Sequence, residues 1–486
     1  MKGLSLSFLL LCCGVGLYGN EKAELKSNMQ INYLQTPNAA ENFEELFSKG
    51  TFYGRLRANS FLFEWDDDSS ASRENHYIAG IGGSLIFKSA HLHGFGFETG
   101  LYTAQNPWHM NDSYAPFYKA SKGVLSRYDV LTKDDYGINS LAIAYLQYKN
   151  NMIDIKVGRQ LFESTFTASN DTKMIPNSFE GLTLQTSFLP NTDIKLAYLT
   201  KEKLRDHSNF HHLFAYGDGS GAYSQYTQND DTAMHQGITM SALKQRGIDD
   251  VLYIAEFTNK SLPNSEIKLN ITVAPELITL AMIEAKYNFK INDTLTLSPA
   301  LRYIRQFDEG AGTFAGANLK CNTTDYKSPD SLDGSMFAAK LDLGYGAFKT
   351  RLGYSEVADK ADLVTPWRGF PTGGYTRAMA QYNWYANTKS SMIRFDYDFD
   401  KAGLIDGVSA FTRFVIQDFD DGKSGVQADS KVLTLDVIKK FDSIPGLYAK
   451  FRCAFVKGDT DTVASNGKLK SDPSYNEYRL ELNYLF

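Results

Sequence analysis

The last nine residues, Tyr478-Arg-Leu-Glu-Leu-Asn-Tyr-Leu-Phe486, decide the fold class. Apolar side chains occupy every even position, while Arg479, Glu481 and Asn483 occupy odd positions. Strict alternation is the signature of a β-strand with one apolar and one polar face. A strand that crosses a bilayer at a tilt needs about 9–11 residues. The segment therefore predicts a transmembrane strand whose apolar face meets lipid and whose polar face meets a lumen.

The same alternation recurs along the chain from Thr51 onward. In Asn150–Val157, for example, Ile153 and Ile155 stand opposite Asp154 and Lys156. The pattern predicts an all-β chain, a transmembrane antiparallel β-barrel of about 18 strands. The predicted strands are residues 52–63, 77–88, 93–102, 139–149, 152–160, 179–188, 193–201, 237–244, 251–257, 279–288, 294–305, 336–344, 348–356, 390–399, 408–417, 431–440, 446–456 and 477–486.

The predicted connections alternate between long and short, which is typical of an outer-membrane barrel with long loops outside the cell. The short turns include Asn150-Asn151 and Pro190-Asn-Thr192. Thr376–Ala386 also alternates, but we assign it to a long loop because a nineteenth strand would reverse the side of every later connection. The long connections are 64–76, 103–138, 161–178, 202–236, 258–278, 306–335, 357–389, 418–430 and 457–476. A soluble all-β protein of the periplasm remains the alternative.

Composition excludes several other classes. The 486 residues are 43% hydrophobic, which rules out a disordered chain. A net charge of −6 provides no basic excess for nucleic acid, and four cysteines are too few for a disulfide scaffold. The mean hydropathy of −0.32 suits a barrel wall that alternates apolar and polar residues.

The N-terminus predicts export. Residues 1–19 read as a signal peptide, with Lys2 before an apolar stretch and the small residue Gly19 at its end. Residues 20–50 are predicted to form a periplasmic lead-in, and 51–486 the barrel. A lead-in of about 30 residues is too short for a plug domain, which favours an open but constricted pore in the outer membrane of a Gram-negative bacterium.

Several short motifs resemble the OprD-type family of outer-membrane porins. The best segments are 150–200 and 390–486, whereas 202–375 matches only in strand rhythm. The motifs are Val157-Gly-Arg-Gln160, Ala168-Ser-Asn-Asp171, Lys173, Pro176, Phe179-Glu-Gly181, Ile393-Arg-Phe-Asp-Tyr-Asp-Phe399, Gly403-Leu404, Gly407, Thr412-Arg-Phe-Val415 and Gly446-Leu-Tyr-Ala-Lys-Phe-Arg452.

The resemblance implies an 18-stranded barrel whose third loop, about 161–178, folds inward and narrows the pore. Asp171, Lys173 and Glu180 would belong to this constriction, although Glu180 could instead pair with an arginine of the wall. The resemblance also implies a ladder of basic side chains on one wall of the lumen. Its members here would be Arg394, Arg413, Lys450, Arg452 and Arg479.

Strand parity supports most of this ladder independently. A charge that faces lipid at mid-bilayer costs roughly 2–4 kcal/mol, so charged positions that alternate with apolar ones should face the lumen. Arg413 is the exception, because Phe411 and Val415 share its face. Each arginine could equally serve only to pair with a neighbouring carboxylate. Parity alone adds four further inward basic residues, Arg55, Arg57, Arg302 and Arg351.

Other clusters carry weaker signals. His207, His211 and His212 could bind a metal if they lay on a helix, but a solvated loop is the simpler interpretation. Asp66-Asp-Asp68 could recruit divalent cations with lipopolysaccharide, but a solvated charge run is the simpler interpretation. A bridge between Cys321 and Cys453 is conceivable, although nothing in the sequence supports it. None of the eight histidines lies plainly on the rigid wall, which disfavours an enzyme.

The sequence thus predicts a porin without catalytic residues, metal or cofactor. Small hydrophilic solutes, with carboxylates and amino acids as candidates, would diffuse passively through a constricted lumen. The expected partners are these solutes and outer-membrane lipids including lipopolysaccharide, but not nucleic acid. Whether the barrel acts as a monomer or a homotrimer stays open. The alternative function is an outer-membrane adhesin or structural barrel without transport.

Overall fold

The structure, a computed structural model, describes residues 23–27, 29–34, 37–66, 73–117, 124–215, 217, 229, 231, 233–379 and 382–486. The predicted signal peptide and two of the three residues Asp66–Asp68 lie outside these ranges. No helix of the described part of the chain has the length and apolarity to cross a membrane.

Eighteen antiparallel strands form a closed barrel, as the alternation predicts. Closure pairs the last strand with the first, from Tyr475 opposite Trp65 to Leu485 opposite Arg55. Closing the sheet satisfies every edge, which a sheet in lipid requires. The strands are β1 Thr51–Trp65, β2 His76–Lys88, β3 Phe95–His109, β4 Gly137–Lys149, β5 Ile153–Gln160, β6 Ser178–Thr186, β7 Thr192–Lys203, β8 Leu252–Asn259, β9 Ser265–Ala274, β10 Ile278–Tyr287, β11 Leu295–Asp308, β12 Gly334–Tyr345, β13 Phe348–Val357, β14 Lys389–Asp398, β15 Val408–Asp418, β16 Ser430–Lys440, β17 Leu447–Gly458 and β18 Tyr475–Leu485.

Several short strands and helices lie outside the eighteen barrel strands. A two-stranded hairpin precedes it, formed by Ala23–Leu25 and Ile31–Tyr33. Further two-residue strands are Ala39–Ala40, His91–Leu92 and Phe289–Lys290. The described helices are α1 Phe43–Ser48, α2 Arg127–Lys133, α3 Met240–Arg246 and α4 Gly312–Ala315, with a 3-10 turn at Asp112–Phe117.

One predicted strand is wrong and one strand was missed, so the two errors cancel in the strand count. Residues 237–244 were predicted as a strand but contain most of α3, whose first turn is capped by the Thr239 side chain accepting from the Ala242 amide. Residues 265–274 were predicted as loop but form β9, where Leu269 and Ile271 alternate outward. The loop predicted at 258–278 therefore shrinks to a turn at 260–264 and another at 275–277.

The long loops fold back into the barrel and pack a core inside it. The loops that matter here are L3 (161–177), L4 (204–251), L6 (309–333) and L7 (358–388). Trp367 and Trp384 of L7 are fully buried in one cluster with Phe166 of L3 and Phe214 of L4. The described part of Thr376–Ala386 lies in L7 and forms no strand, as predicted. The core of this protein therefore lies in its lumen, between loops and the inner wall.

Deleting Phe486 is expected to lower the yield of folded barrel strongly. The Phe486 amide donates to the Gly54 carbonyl at 3.1 Å, and the Gly54 amide donates back to Phe486 at 2.9 Å, so this residue ends the closing seam. Its ring covers Gly54 so closely that a Cβ there would lie 2.0 Å from the ring. Heat-modifiable mobility on gels measures the folded fraction. A normal yield from the truncated chain, with Phe486→Leu as the apolar control, would contradict this.

Candidate solute channel

Loop L3 is tied to the first strand by an ion-pair cluster inside the barrel. Arg55 and Arg57 face inward from β1, as parity predicts, and both bind the Asp171 carboxylate. The Arg57 Nη1 donates to Asp171 Oδ1 at 2.8 Å, and its Nε donates to Glu481 of β18 at 2.8 Å. All four side chains are almost fully buried. L3 therefore crosses the lumen at this level rather than lying over the barrel.

Lys173 lies in the same loop but points toward L4. Its carbonyl accepts from the Asn59 side chain of β1 at 2.9 Å, while its Nζ lies 3.9 Å from Asp231 Oδ1. Asp231 also binds Arg205, with Nε 2.6 Å from Oδ2. L3 and L4 are thus joined by charge within the lumen.

Glu180, which was predicted with this constriction, lies elsewhere. It belongs to β6, where Phe179 packs into the lumen core, so alternation turns Glu180 to the outer face. There its Oε2 lies 3.3 Å from Arg159 Nε and its Oε1 lies 3.6 Å from Lys201 Nζ. Glu180 therefore pairs with an arginine of the wall, which was the alternative interpretation from the sequence.

The segment predicted as a periplasmic lead-in also reaches the lumen. The Met29 carbonyl of the N-terminal hairpin accepts from Arg55 Nη1 at 2.8 Å, and Gln30 Nε2 donates to the Ser169 carbonyl of L3 at 2.5 Å. The rings of Tyr33 and Tyr53 stack with centroids 3.6 Å apart. An inward-facing wall and the inward-folded loop thus hold the hairpin between them.

Strands β14 to β18 place the predicted ladder residues on the inner wall. Lys450 and Arg452 of β17 share Asp436 of β16, with nitrogen–oxygen distances of 3.5 and 2.5 Å. Arg479 of β18 pairs with Glu477, and Arg394 of β14 pairs with Asp396. Each of these cations therefore pairs with a neighbouring carboxylate, which is the alternative role considered from the sequence. Each also lines the central cavity described below.

The structure explains why Arg413 shares its strand face with the apolar Phe411. Phe411 does share its face, and both side chains point into the lumen. The Phe411 ring lies under two guanidinium groups, 4.2 Å from that of Arg394 and 4.9 Å from that of Arg413. An aromatic face attracts cations, so an inward phenylalanine between two arginines is stabilising. Among the described residues, no carboxylate lies within 4 Å of Arg413.

A cavity of about 880 Å³ occupies the lumen between this wall and the loops. Of the described residues that line it, twelve are cationic and only Asp231 is acidic. Strand parity or the resemblance to porins singled out seven of these cations, and the other five were missed. The twelve are Lys26, Lys173, Arg205, Lys320, Arg351, Arg368, Arg377, Arg394, Arg413, Lys450, Arg452 and Arg479.

The basic residues missed by sequence analysis come mainly from loops and from the hairpin. Lys26, Arg205, Lys320, Arg368 and Arg377 lie outside the barrel strands, where no period indicates direction. Of the further residues predicted from parity, Arg351 lines the cavity. Arg302 instead pairs with Glu284, its Nε 2.7 Å from Oε2. The only sequence feature that could have indicated these residues is the number of lysines and arginines in the long loops.

The histidine cluster of L4 is buried rather than solvated. His207 Nε2 lies 2.6 Å from the Asp231 carbonyl, and His211 Nδ1 lies 2.8 Å from the His212 carbonyl. Burial lowers the pKa of His207 to about 4, so this ring is neutral at pH 7. Within the described ranges, no group of three or more His, Cys, Asp or Glu is arranged to hold a metal ion. Cys321 and Cys453 are both free thiols, so the conceivable bridge between them is absent.

A closed 18-stranded barrel with a polar, loop-narrowed lumen is the architecture of an outer-membrane channel. A model of the OprD family of outer membrane porins matches residues 125–486. The chain therefore belongs to the OprD family. It is a porin of the Gram-negative outer membrane rather than an enzyme, as the resemblance implied.

Solved structures agree on the fold. OpdQ of Pseudomonas aeruginosa is 16% identical, with a TM-score of 0.66 over 91% of this chain and 99% of that one. OccAB3 of Acinetobacter baumannii is 16% identical, with a TM-score of 0.68 over 90% and 99%. OpdK of Pseudomonas aeruginosa, solved with vanillate, is 14% identical, with a TM-score of 0.66 over 90% and 98%. No curated protein sequence matches the chain.

Proposed function

We propose that this porin conducts small anionic solutes, with carboxylates and the carboxylate end of amino acids as the preferred chemical class. The observation that carries the proposal is the charge of the central cavity, where twelve cationic side chains of the described residues face one carboxylate. Low-dielectric walls focus the field of such a lining and raise the local concentration of anions.

The carboxylates that pair with these cations do not cancel this effect. Asp436, Glu477 and Asp396 contact Arg452, Arg479 and Arg394 but do not line the cavity. A passing solute therefore meets the cations first. Arginine also offers two parallel donors that match the two oxygens of a carboxylate, so the lining favours carboxylates over spherical anions of equal charge.

The dimensions support a small solute. A volume of about 880 Å³ is within the usual range of roughly 300–1,000 Å³ for sites that enclose small organic molecules. The presence of vanillate in the OpdK structure agrees with a carboxylate class for this chain. L3 and the hairpin both lie inside the lumen, which favours a small solute over a large polymer.

Solute uptake by liposomes is the experiment that tests this function. Three solutes of similar size are compared: a monocarboxylate, its neutral amide and its primary amine. We expect uptake in the order carboxylate, amide, amine, with about a tenfold range at low salt and a smaller range at high salt. Equal uptake of all three, or a preference for the amine, would reject an anion channel.

An adhesin or structural barrel without transport remains a second candidate, favoured by the loops and hairpin that fill much of the lumen. Planar bilayers separate the two, because a structural barrel gives no current steps. We further propose that residues 1–19 are removed as a signal peptide and that the outer leaflet supplies lipid partners, including lipopolysaccharide. N-terminal sequencing of the mature protein checks the first point.

A further inference from the structure

We infer that the outer wall of β4 to β7 holds one specific site for a phosphorylated, acylated lipid. A groove of about 480 Å³ runs along this wall, lined by Ala144, Val157, Leu182 and Tyr198. Val157 and Leu182 are exposed and oppose each other across β5 and β6, so the groove opens toward lipid and not toward the lumen. The inference deepens the proposed contact of the porin with outer-leaflet lipid.

Two glycines give the groove its depth. Gly158 of β5 and Gly181 of β6 are direct cross-strand partners. A Cβ on Gly158 would lie 2.3 Å from the Ala144 carbonyl oxygen, and one on Gly181 would lie 2.1 Å from that of Tyr198. Neither position therefore accepts a larger residue. The close approach of these strands forms a smooth apolar floor that suits a hydrocarbon chain.

The extracellular end of the groove carries charge. Arg159 and Lys201 flank Glu180 at 3.3 and 3.6 Å, and both cations are partly exposed. Two cations against one carboxylate leave one positive charge unmatched at the level where lipid headgroups begin. A phosphate on a lipid headgroup complements this charge and accepts hydrogen bonds from both cations.

A bulge in β7 creates this cation pair. Glu180 pairs with Lys201, while the next residue Gly181 pairs with Leu199, so Thr200 is the extra residue. The Thr200 hydroxyl donates to the Glu180 carbonyl at 3.2 Å and holds the bulge. Alternation from the inward Leu199 would point Lys201 into the lumen, and the bulge turns it outward instead.

The guanidinium of Arg159 is also held in place. It lies 4.5 Å from the ring centroid of Phe210 in L4. A cation fixed on an aromatic face loses less freedom on binding, which favours a preformed headgroup site. The apolar groove and a positively charged, preorganised headgroup site therefore lie next to each other on the same part of the outer wall.

The test measures binding of a bisphosphorylated, multiply acylated glycolipid to the full-length porin in mild detergent, by native mass spectrometry. The double variant Arg159→Gln/Lys201→Gln is expected to bind about tenfold more weakly, since it removes both charge-assisted contacts. The matched control Lys431→Gln/Lys457→Gln removes two outward cations from β16 and β17, which lie away from the groove. Wild-type affinity in the R159Q/K201Q variant would overturn the inference.

A second variant tests the groove without changing charge. Ala144→Leu places apolar bulk into it, so binding of the acylated lipid should fall while binding of inorganic phosphate stays the same. Equal binding of lipid to A144L and wild type would overturn the groove as the acyl site. Conductance and solute uptake should be unchanged in both groove variants, which separates this inference from the channel function.

Discussion

Replacing Lys450 and Arg452 together by glutamate is expected to move the reversal potential of the channel from anion preference toward cation preference. The change removes two positive charges from the cavity lining and adds two negative ones. Two unit charges about 6 Å apart interact by roughly 0.7 kcal/mol in water, and by more where low-dielectric walls focus the field. Planar bilayers under a salt gradient measure the shift, and uptake of a carboxylate should slow.

The control and a second variant make this result specific. The control Lys431→Glu/Lys457→Glu also replaces two lysines by glutamates, but on the outward face of β16 and β17. It should leave the reversal potential unchanged. K450E/R452E is also expected to lower the stability of the barrel, because buried Asp436 would face two new carboxylates.

Arg413→Gln avoids that difficulty, since it removes a cation from the cavity lining without adding a negative charge near Asp436. It should shift the reversal potential in the same direction, by a smaller amount, without loss of folded barrel. If neither variant moves the reversal potential while both fold, these side chains lie away from the permeation path and the proposed selectivity is wrong.

Deleting residues 23–33 is expected to give roughly a doubling of single-channel conductance, because conductance follows the open cross-section of a pore. The hairpin lies between Arg55, Ser169 and Lys450, with Met29 Sδ 4.0 Å from Lys450 Nζ, and its residues 25–27 line the cavity. Removing it opens the lumen but also takes Lys26 from the cavity lining, so conductance should rise without a gain in anion preference.

A length-matched control separates packing from chain length. Replacing residues 23–33 by a Gly/Ser segment keeps the chain but removes the Met29, Gln30 and Tyr33 side chains. This variant should conduct as the deletion does, with frequent current fluctuations from the loose segment. Wild-type conductance in both variants would show that the hairpin lies outside the ion path.

The wall of the barrel could be predicted because lipid imposes a simple rule on it. In β18 every even side chain meets lipid and every odd one meets the lumen, so polarity alone reveals the direction of Arg479 and Glu481. The rule also found β14 and β17. It failed at 237–244, where a short alternating run lies in a loop and a capping threonine favours a helix.

The lumen could not be predicted in the same way, because its contents obey tertiary packing instead of a period. Arg368 and Arg377 reach the cavity only because L7 folds inward around Trp367 and Trp384. The buried histidines of L4 and the inward hairpin have the same cause. Glu180 was misplaced for a related reason, since its outward direction depends on which face of β6 meets the loop core.

The sequence by itself therefore determined the closed barrel, its family resemblance and the inward direction of most of its wall cations. These follow from alternation, which each strand displays locally and lipid enforces. Only the tertiary structure decided how the lumen is filled, which carboxylates stand behind the cations, and that the bulge at Thr200 turns Lys201 outward. Those features depend on contacts between distant segments, such as Asp171 with Arg57, that no local pattern records.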